Sequence, residues 1–326
     1  NKMNIYIIGS GTFGTALANE LSFNVNNQVL LFARSVDKVN EINNLHTNKK
    51  YFPNIKLNQS LKATNDYLAI KEADVVFIAL PSSVLEDVLN KFNNKISNTQ
   101  LVVNLSKGIF NNGGTIVDYL KSYFNSENIL SLKGPSFASE IVVKSNTLLT
   151  LGYSNHNQLS IINKIFNGTN IYIDSTNDVR GVELLSVVKN IYALFIGIVD
   201  AKYDSPNTRF MFMTKVFSEI RMISEELNIS PDTLFLSCGL GDVCLTSLND
   251  LSRNRTLGLL IGKGFYNPIS QENTVVFEGL NSINIIFNLI DSSLILKLPI
   301  LRNLHNFFAA KKKNFIIDFN EFLIIN

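Results

Sequence analysis

The chain has 326 residues, of which 46% are hydrophobic and 17% charged, and its formal net charge is +2. This length predicts about two domains, and the composition supplies a large apolar core while excluding a disordered chain. The nearly balanced charge gives no overall field that would attract nucleic acid or a membrane surface. We interpret the one basic run, residues 311–313, as a solvated face.

The few cysteines and histidines argue against a disulfide-rich protein and against a metal site. The two cysteines, Cys238 and Cys244, are too few for a disulfide scaffold and fit a reducing cytosol, so we expect a cytoplasmic protein. Their spacing, with three histidines far away in sequence, predicts no metal site. The chain opens on an apolar strand rather than a signal peptide, and its longest apolar stretches, such as residues 191–199, are shorter than the about 20 residues that span a bilayer. We therefore expect no membrane insertion.

Short apolar runs alternate with helical segments through the first half of the chain. Strands are predicted over residues 4–8, 28–32, 73–80, 101–105, 128–132, 147–152 and 171–173. Continuous apolar strands of this kind indicate a mostly parallel sheet covered on both faces, whose ligands bind beyond the carboxyl ends of the strands. From Asp178 the pattern becomes helical, over residues 182–199, 208–227 and the C-terminal third. The predicted fold is α/β, with a mostly parallel sheet domain over residues 1–178 and an all-α domain over residues 179–326.

A glycine-rich turn follows the first strand and precedes a helix predicted from Thr15 to about residue 23. In this Gly-x-Gly-x-x-Gly motif, Gly9 permits the tight turn, Gly11 the close approach of a pyrophosphate, and Gly14 the packing of helix on strand. The pyrophosphate then meets the positive end of the helix dipole. The motif alone is a weak signal, but this context predicts dinucleotide binding.

The end of the second strand bears on the choice of cofactor. A carboxylate about 20 residues beyond the glycines would hold the ribose 2′-hydroxyl of NAD, whereas this chain has Arg34 and Ser35 there and no carboxylate before Asp37. A cation and a hydroxyl suit a 2′-phosphate, which favours NADP over NAD. Arg34 can also be read as an ordinary surface arginine, or as serving either nucleotide through its adenine face.

Four further clusters carry side chains suited to chemistry. Lys107 ends a predicted strand at the ligand edge, although a surface lysine is the alternative. Residues 134–140 form a rigid turn with hydroxyls and backbone N–H groups, or simply a structural turn. Lys189 and Asn190 lie in an apolar helix, where an unpaired charge is costly, which indicates a buried functional lysine. Residues 239–246, with an aspartate on a glycine turn, precede the sequence Ser-Arg-Asn-Arg at 252–255, which suits a phosphate monoester.

Together these segments resemble the bacterial NAD(P)-dependent sn-glycerol-3-phosphate dehydrogenases. The matching segments run in order along the chain: residues 9–18, 106–108, 134–138, 181–183, 188–190, 207–209, 239–242 through 246, 252–254 and 278–279. The resemblance implies a Rossmann-type dinucleotide-binding domain over residues 1–178 and a helical substrate-binding and catalytic domain over residues 179–326. It also implies a homodimer, and interconversion of dihydroxyacetone phosphate and sn-glycerol 3-phosphate for glycerophospholipid synthesis. Asp200 to Pro206 depart from a normally glycine-rich stretch, which puts the loop geometry there in doubt.

The resemblance also assigns roles to individual residues. Lys189 matches the proton donor and acceptor. The predicted catalytic group also contains Lys107 and Asp242, which act on the Lys189 ammonium, and our own mechanistic hypothesis adds Asn190 and Thr246 as groups that position by hydrogen bonding. The implied substrate contacts are Lys107, Gly134, Ser136, Lys189, Asp242, Ser252, Arg253 and Asn254. The predicted cofactor contacts are Gly9, Gly11, Thr12, Phe13, Gly14, Arg34, Lys107, Ala138, Arg253 and Glu278.

Two other functions remain open from the sequence. The β-hydroxyacid dehydrogenases also combine a Rossmann domain with helices and a Lys-Asn pair, although residues 242 and 252–254 argue against them. A catalytically inactive NADP-binding sensor would bind cofactor without turnover, although the presence of Lys107, Lys189 and Asp242 argues against it.

Overall fold

A single sheet organises the first half of the chain. The computed structural model describes residues 2–268 and 274–323, with the backbone alone for residues 274–278. The strands are β1 (Met3–Ile8), β2 (Asn27–Phe32), β3 (Lys62–Thr64), β4 (Val75–Ile78), β5 (Leu101–Asn104), β6 (Ile129–Lys133), β7 (Thr147–Gly152) and β8 (Ile171–Thr176). They form one eight-stranded sheet in the order β3-β2-β1-β4-β5-β6-β7-β8, and β6 pairs with β7 in the antiparallel sense while the other neighbours are parallel. The predicted mostly parallel sheet is confirmed.

Helices cover the sheet and form the second half of the chain. The helices of the first half are α1 (Thr12–Leu21), α2 (Val36–Asn40), α3 (Leu85–Asn90), α4 (Ile116–Phe124), α5 (Ala138–Ile141) and α6 (His156–Phe166). Those of the second half are α7 (Val179–Lys202), α8 (Pro206–Glu226), α9 (Asp242–Leu248), α10 (Arg253–Gly262), α11 (Thr274–Leu289), α12 (Ser292–Ile295), α13 (Pro299–Ala309) and α14 (Phe319–Leu323). The predicted change from a strand-rich to a helical region is confirmed.

The chain divides into two compact units. The first comprises Asn1–Lys107 and Ile116–Glu183, and the second comprises Gly108–Thr115 and Leu184–Asn326. The division therefore falls inside α7, and a short segment from the first half of the sequence belongs to the second unit. The functional boundary that we expect at residue 178 stays a prediction.

The core of the first unit lies on both faces of the sheet. Alternate residues of β1 belong to different apolar clusters: Ile5 and Ile7 pack on one face, and Tyr6 and Ile8 on the other. A strand that is buried on both faces needs an uninterrupted apolar run, because successive side chains point in opposite directions. This is why the sequence shows continuous rather than alternating hydrophobicity.

Helix α7 forms the centre of the second unit. It is long and apolar enough to cross a membrane, but 94% of its most apolar window is buried within the protein, as in the core helix of a globular domain. Its backbone lies very close to α10: a Cβ on Gly197 would be 2.3 Å from Arg255 O, and a Cβ on Gly258 would be 1.9 Å from Leu194 O. These glycines therefore fix the start of α10 against α7.

Candidate functional site

The glycine turn between β1 and α1 has the geometry that dinucleotide binding requires. Gly9 has φ of +117°, and a Cβ there would be 2.2 Å from Ala79 O, while a Cβ on Gly14 would be 1.9 Å from Gly9 O. By contrast, a Cβ on Gly11 would meet no described atom within 4 Å. Packing therefore demands Gly9 and Gly14, whereas Gly11 leaves space open at the start of the helix.

Helix α1 presents its positive end to that open space. It has ten residues, and its N-cap is Gly11, which has no side chain to accept from the first-turn N–H groups. Thr12 and Phe13 are the first helical residues, with Thr12 exposed and Phe13 half-buried. Unpartnered N–H groups and the helix dipole attract an anion, so these residues fit the pyrophosphate of a dinucleotide.

Arg34 is exposed just beyond the end of β2. Ser35 caps α2, with its hydroxyl accepting from the Lys38 backbone N–H at 3.4 Å. Neither side chain is an acidic group that would accept from a ribose 2′-hydroxyl. The structure thus places the cationic Arg34 just beyond the end of β2, where the sequence predicts it.

Lys107 is exposed three residues after β5, and a buried network lies at the end of that strand. Asn104 Oδ1 accepts from the Ser106 N–H at 3.0 Å, and Asn104 Nδ2 donates to Ser106 O at 3.0 Å and to Glu183 Oε1 at 2.8 Å. Glu183 also lies 3.4 Å from the Lys133 ammonium, and the two side chains are 0% and 1% exposed. No sequence motif predicts this ion pair, which holds the backbone that leads to Lys107.

The same pair adjoins the turn at residues 134–138. Lys133 is the last residue of β6 and precedes Gly134, which has φ of +155° and is packed against Leu148 and Leu149. Ser136 donates its hydroxyl to Gly134 O at 3.1 Å, and Ala138 begins α5. Burial raises the pKa of Glu183, while the Lys133 charge and the hydrogen bonds to Glu183 act in the opposite direction.

Within the second unit, Lys189 and Asp242 form a buried ion pair. Lys189 Nζ lies 2.6 Å from Asp242 Oδ1, and the two side chains are 4% and 2% exposed. Thr246 donates its hydroxyl to the same oxygen at 3.1 Å. Asp242 is the first residue of α9 and Thr246 lies one turn later, so both face the same side of that helix. The structure thus brings together three of the predicted catalytic residues, and Asn190 is half-buried next to Lys189 in the chain.

The start of α10 carries the predicted phosphate contacts. Ser252 is the N-cap, and its hydroxyl accepts from the Arg255 N–H at 3.3 Å, while Arg253 is exposed at the first helical position. The buried Oδ1 of Asn254 has no hydrogen-bond partner among the described residues. An unsatisfied buried amide oxygen is costly, so a hydroxyl of a bound ligand would relieve it.

Arg255 is held in place by hydrogen bonds that its guanidinium donates. Its guanidinium donates to Asp200 Oδ2 at 2.6 Å, to Asp250 Oδ1 at 2.9 Å and to Ser247 O at 3.0 Å. Arg209 donates to the other oxygen of Asp200 at 2.8 Å. Arg255 therefore braces the start of α10, and Arg253 is the arginine there whose side chain is exposed. The Glu278 side chain lies outside the described residues.

Two family profiles cover most of the chain. Residues 4–159 match the N-terminal part of the NAD-dependent glycerol-3-phosphate dehydrogenases, and residues 178–315 match the C-terminal part. The two matches follow one another in the order expected for that family.

Named relatives and a solved structure agree with this match. A glycerol-3-phosphate dehydrogenase [NAD(P)+] of Methanothermobacter thermautotrophicus is 34% identical over 301 residues, covering 92% of this chain and 91% of that protein. One of the same name from Staphylococcus aureus is 34% identical over 295 residues, covering 87% of each. The crystal structure of glycerol-3-phosphate dehydrogenase from Coxiella burnetii superposes with a TM-score of 0.81 at 25% identity and 95% coverage of both chains.

Proposed function

The chain belongs to the NAD-dependent glycerol-3-phosphate dehydrogenase family, and we propose that it interconverts dihydroxyacetone phosphate and sn-glycerol 3-phosphate. The observation that carries this proposal is the buried Lys189–Asp242 pair at 2.6 Å, with the Thr246 hydroxyl on the same carboxylate oxygen. An ammonium held in this way suits the transfer of a proton to or from a substrate oxygen.

The dinucleotide is NAD(H) or NADP(H), and it supplies or accepts the hydride when bound. Gly9, Gly11 and Gly14 would form its pyrophosphate turn, and the N–H groups of Thr12 and Phe13 would hold the phosphates. Arg34 supports a preference for NADP. Lys107, Ala138, Arg253 and Glu278 are the further cofactor contacts that we propose.

Lys189 holds the proton that the ketone oxygen needs. The ketone oxygen of dihydroxyacetone phosphate would gain negative charge on reduction, and the Lys189 ammonium would neutralise that charge by donating a proton. Asp242 orients the ammonium through the 2.6 Å contact, and Thr246 fixes the carboxylate. Asn190 is a further positioning group in this proposal.

The phosphate of the substrate fits the start of α10. Ser252 and Arg253, with Asn254, place a hydroxyl, a guanidinium and an amide at the positive end of a ten-residue helix. Binding energy from this remote group aligns C2 for transfer. Lys107, Gly134 and Ser136 complete the substrate contacts that we propose.

Other expectations from the sequence stay predictions. Relatives at 34% identity come from both an archaeon and a bacterium, so assignment to the bacterial branch remains to be tested. A homodimer, a cytoplasmic location and a role in glycerophospholipid synthesis also remain predictions. Light scattering of the purified protein would test the homodimer.

The decisive experiment measures reduced nicotinamide absorbance with purified protein. We expect oxidation of NADPH or NADH that depends on dihydroxyacetone phosphate. A hydroxy or keto acid without phosphate should give no comparable rate. Folded protein that binds cofactor but oxidises neither nucleotide would overturn the proposal, and a preference for the non-phosphorylated acid would favour a β-hydroxyacid dehydrogenase.

A further inference from the structure

Lys107 is the last residue before the chain leaves the first unit. Residues 108–115 belong to the second unit, and the chain returns to the first unit at Ile116. Ile109 pairs with Thr115 in the antiparallel sense, so Lys107 directly precedes a short hairpin. The Lys107 side chain is exposed. Because an exposed side chain is not held by packing, its placement depends on the backbone that carries it.

Asn104 fixes the peptide that leads to Lys107. Its side chain is fully buried, Oδ1 accepts from the Ser106 N–H at 3.0 Å, and Nδ2 donates to Ser106 O at 3.0 Å. The Ser106 carbonyl belongs to the planar peptide that joins Ser106 to Lys107. One side-chain amide therefore holds both backbone polar groups of Ser106, and with them the orientation of that peptide.

Glu183 determines which way the Asn104 amide points. Asn104 Nδ2 also donates to Glu183 Oε1 at 2.8 Å. An ionised carboxylate can only accept hydrogen bonds, so the NH₂ group of Asn104, and not its carbonyl, must face Glu183. The Lys133 ammonium, 3.4 Å from Glu183 Oε2, favours the ionised carboxylate. With the NH₂ group directed at Glu183, the Asn104 carbonyl is left to accept from the Ser106 N–H.

The same carboxylate oxygen holds the chain on the other side of the hairpin. The Val117 N–H donates to Glu183 Oε1 at 3.2 Å. Val117 is the second residue of α4, where backbone N–H groups have no acceptor within the helix. Glu183 Oε1 thus joins the segment before the hairpin, through Asn104, to the segment that follows it.

We propose that Asn104 and Glu183 are positioning residues for Lys107, and that they act by fixing the peptide between Ser106 and Lys107. The proposal rests on the proposed function, in which Lys107 contacts the substrate and the dinucleotide. Both side chains are fully buried within the first unit, so they act through Lys107 and not on the reacting atoms.

A double-mutant cycle on kcat/KM for dihydroxyacetone phosphate tests the proposal. Asn104→Ala should lower kcat/KM about tenfold, because the peptide before Lys107 loses its side-chain hydrogen bonds. It should change kcat and KM in the same proportions as Lys107→Ala. In protein that already carries Lys107→Ala, adding Asn104→Ala should cost less than about twofold, since the positioned group is gone. Equal losses in the two backgrounds would overturn the proposal.

Gln100→Ala is the matched control, since Gln100 is a buried amide at the opposite end of β5. Its Nε2 donates to Ile70 O at 2.8 Å and Ala73 O at 2.7 Å, and its Oε1 accepts from the Ser97 N–H at 2.7 Å. Gln100→Ala should destabilise the protein much as Asn104→Ala does, while kcat/KM stays within about twofold of wild type. Equal losses of kcat/KM, compared at equal folded fraction, would make the role of Asn104 merely structural.

Two double variants keep the proposal testable if Asn104→Ala does not fold. In Lys133→Met with Glu183→Gln, the new side-chain oxygen can still accept from Asn104 and Val117, so kcat/KM should stay within about threefold of wild type. Lys133→Met with Glu183→Leu has no such acceptor and should lose about tenfold. The same kcat/KM in both double variants would contradict positioning through Glu183.

NADPH binding without substrate separates this proposal from the proposed function. Because Lys107 is also a proposed cofactor contact, Asn104→Ala should raise the dissociation constant about threefold in wild-type protein and hardly at all beside Lys107→Ala. Nucleotide fluorescence measures this constant. That coupling, in protein that does not turn over dihydroxyacetone phosphate, would count against the proposed function alone. Additive effects on NADPH binding would overturn the positioning proposal whether or not turnover is seen.

Discussion

Two buried lysine–carboxylate pairs, one in each unit, differ in what surrounds them. Lys133 is surrounded by acceptors: Asn104 O at 2.8 Å, Ser131 Oγ at 3.0 Å and Glu183 Oε2 at 3.4 Å. Three acceptors can match the three N–H groups of one ammonium, so the Lys133 ammonium is satisfied within the protein. It ties together β5, β6 and the first turns of α7.

The Lys189–Asp242 pair is shorter and sits on different elements. Its 2.6 Å contact joins the middle of α7 to the first residue of α9, and a hydroxyl one turn along α9 shares the carboxylate oxygen. Both pairs are almost fully buried, so burial and charge pairing do not by themselves distinguish a catalytic lysine from a structural one. Separate replacement of Lys189 and of Lys133 distinguishes a catalytic lysine from a structural one.

The largest effect is expected from Lys189→Ala. Turnover should fall about 10⁴-fold, since a general acid is lost, while the dissociation constant for the dinucleotide stays within about twofold of wild type. Steady-state rates and nucleotide fluorescence measure the two quantities. Near-normal turnover in folded Lys189→Ala protein would remove Lys189 from the mechanism.

Lys133→Met should act on stability instead. It leaves the Glu183 carboxyl buried without its ammonium, and we expect the free energy of unfolding to fall by about 4 kcal/mol. Adding Glu183→Gln should recover part of this loss, because the amide carries no charge. Urea denaturation of the two single variants and the double variant measures the coupling. Turnover lost in Lys133→Met to the same extent as in Lys189→Ala, at equal folded fraction, would erase the distinction between the two lysines.

Glu219 is a buried carboxylate whose hydrogen-bond donors, among the described residues, are two backbone N–H groups and a tyrosine hydroxyl. It accepts from the Ile300 N–H at 2.6 Å, the Leu301 N–H at 3.2 Å and the Tyr192 hydroxyl at 2.8 Å, where α13 begins. Burial raises its pKa from 4.5 to about 7. The folded state then binds a proton that the unfolded state releases above its own pKa, so stability is lost as the pH rises from about 4.5 to about 7.

Glu219→Gln should remove that loss. Relative to this variant, wild-type protein should become less stable by about 3 kcal/mol between pH 4.5 and pH 7.5. Denaturant unfolding at both pH values measures the difference, and the other titrating groups are common to both proteins. Parallel pH profiles would show that Glu219 has an ordinary pKa.

The smallest effect is expected from Thr246→Val. The substitution removes one hydrogen bond to Asp242 Oδ1 with little change in volume, which is worth about 1 kcal/mol, or about fivefold in turnover. Thr214→Val is the control, because that exposed hydroxyl donates to Phe210 O on α8. A similar loss of turnover in both variants would argue against positioning through Asp242.

Local pattern was sufficient for several features because their causes are local. Gly14 packs against Gly9 within one short segment, so the motif can be recognised locally, although Gly9 is also packed against Ala79 after β4. Thr246 follows Asp242 by one helical turn, so their shared face could be inferred from spacing. By contrast, β3 (Lys62–Thr64) escaped prediction, because a three-residue edge strand has no apolar run of its own.

Other features depended on pairings across long stretches of chain. The carboxylate of Glu183 meets Lys133 only because β6 and α7 are packed together, and Arg255 meets Asp200 only because α7 and α10 touch through glycines. Asn48 likewise joins the segment after α2 to the glycine turn, through Ser10 O and the Thr15 hydroxyl.

The sequence by itself determined the alternation of strands and helices, the glycine turn and the family to which the chain belongs, because apolar periodicity and short motifs are read within a few residues. Only the tertiary structure decided which buried charges form ion pairs. It also decided that Arg255, and not the exposed Arg253, stabilises the start of α10. Burial of an unpaired charge costs free energy, but burial does not determine which residue pairs with it. The packing of elements far apart in the chain determines that partner.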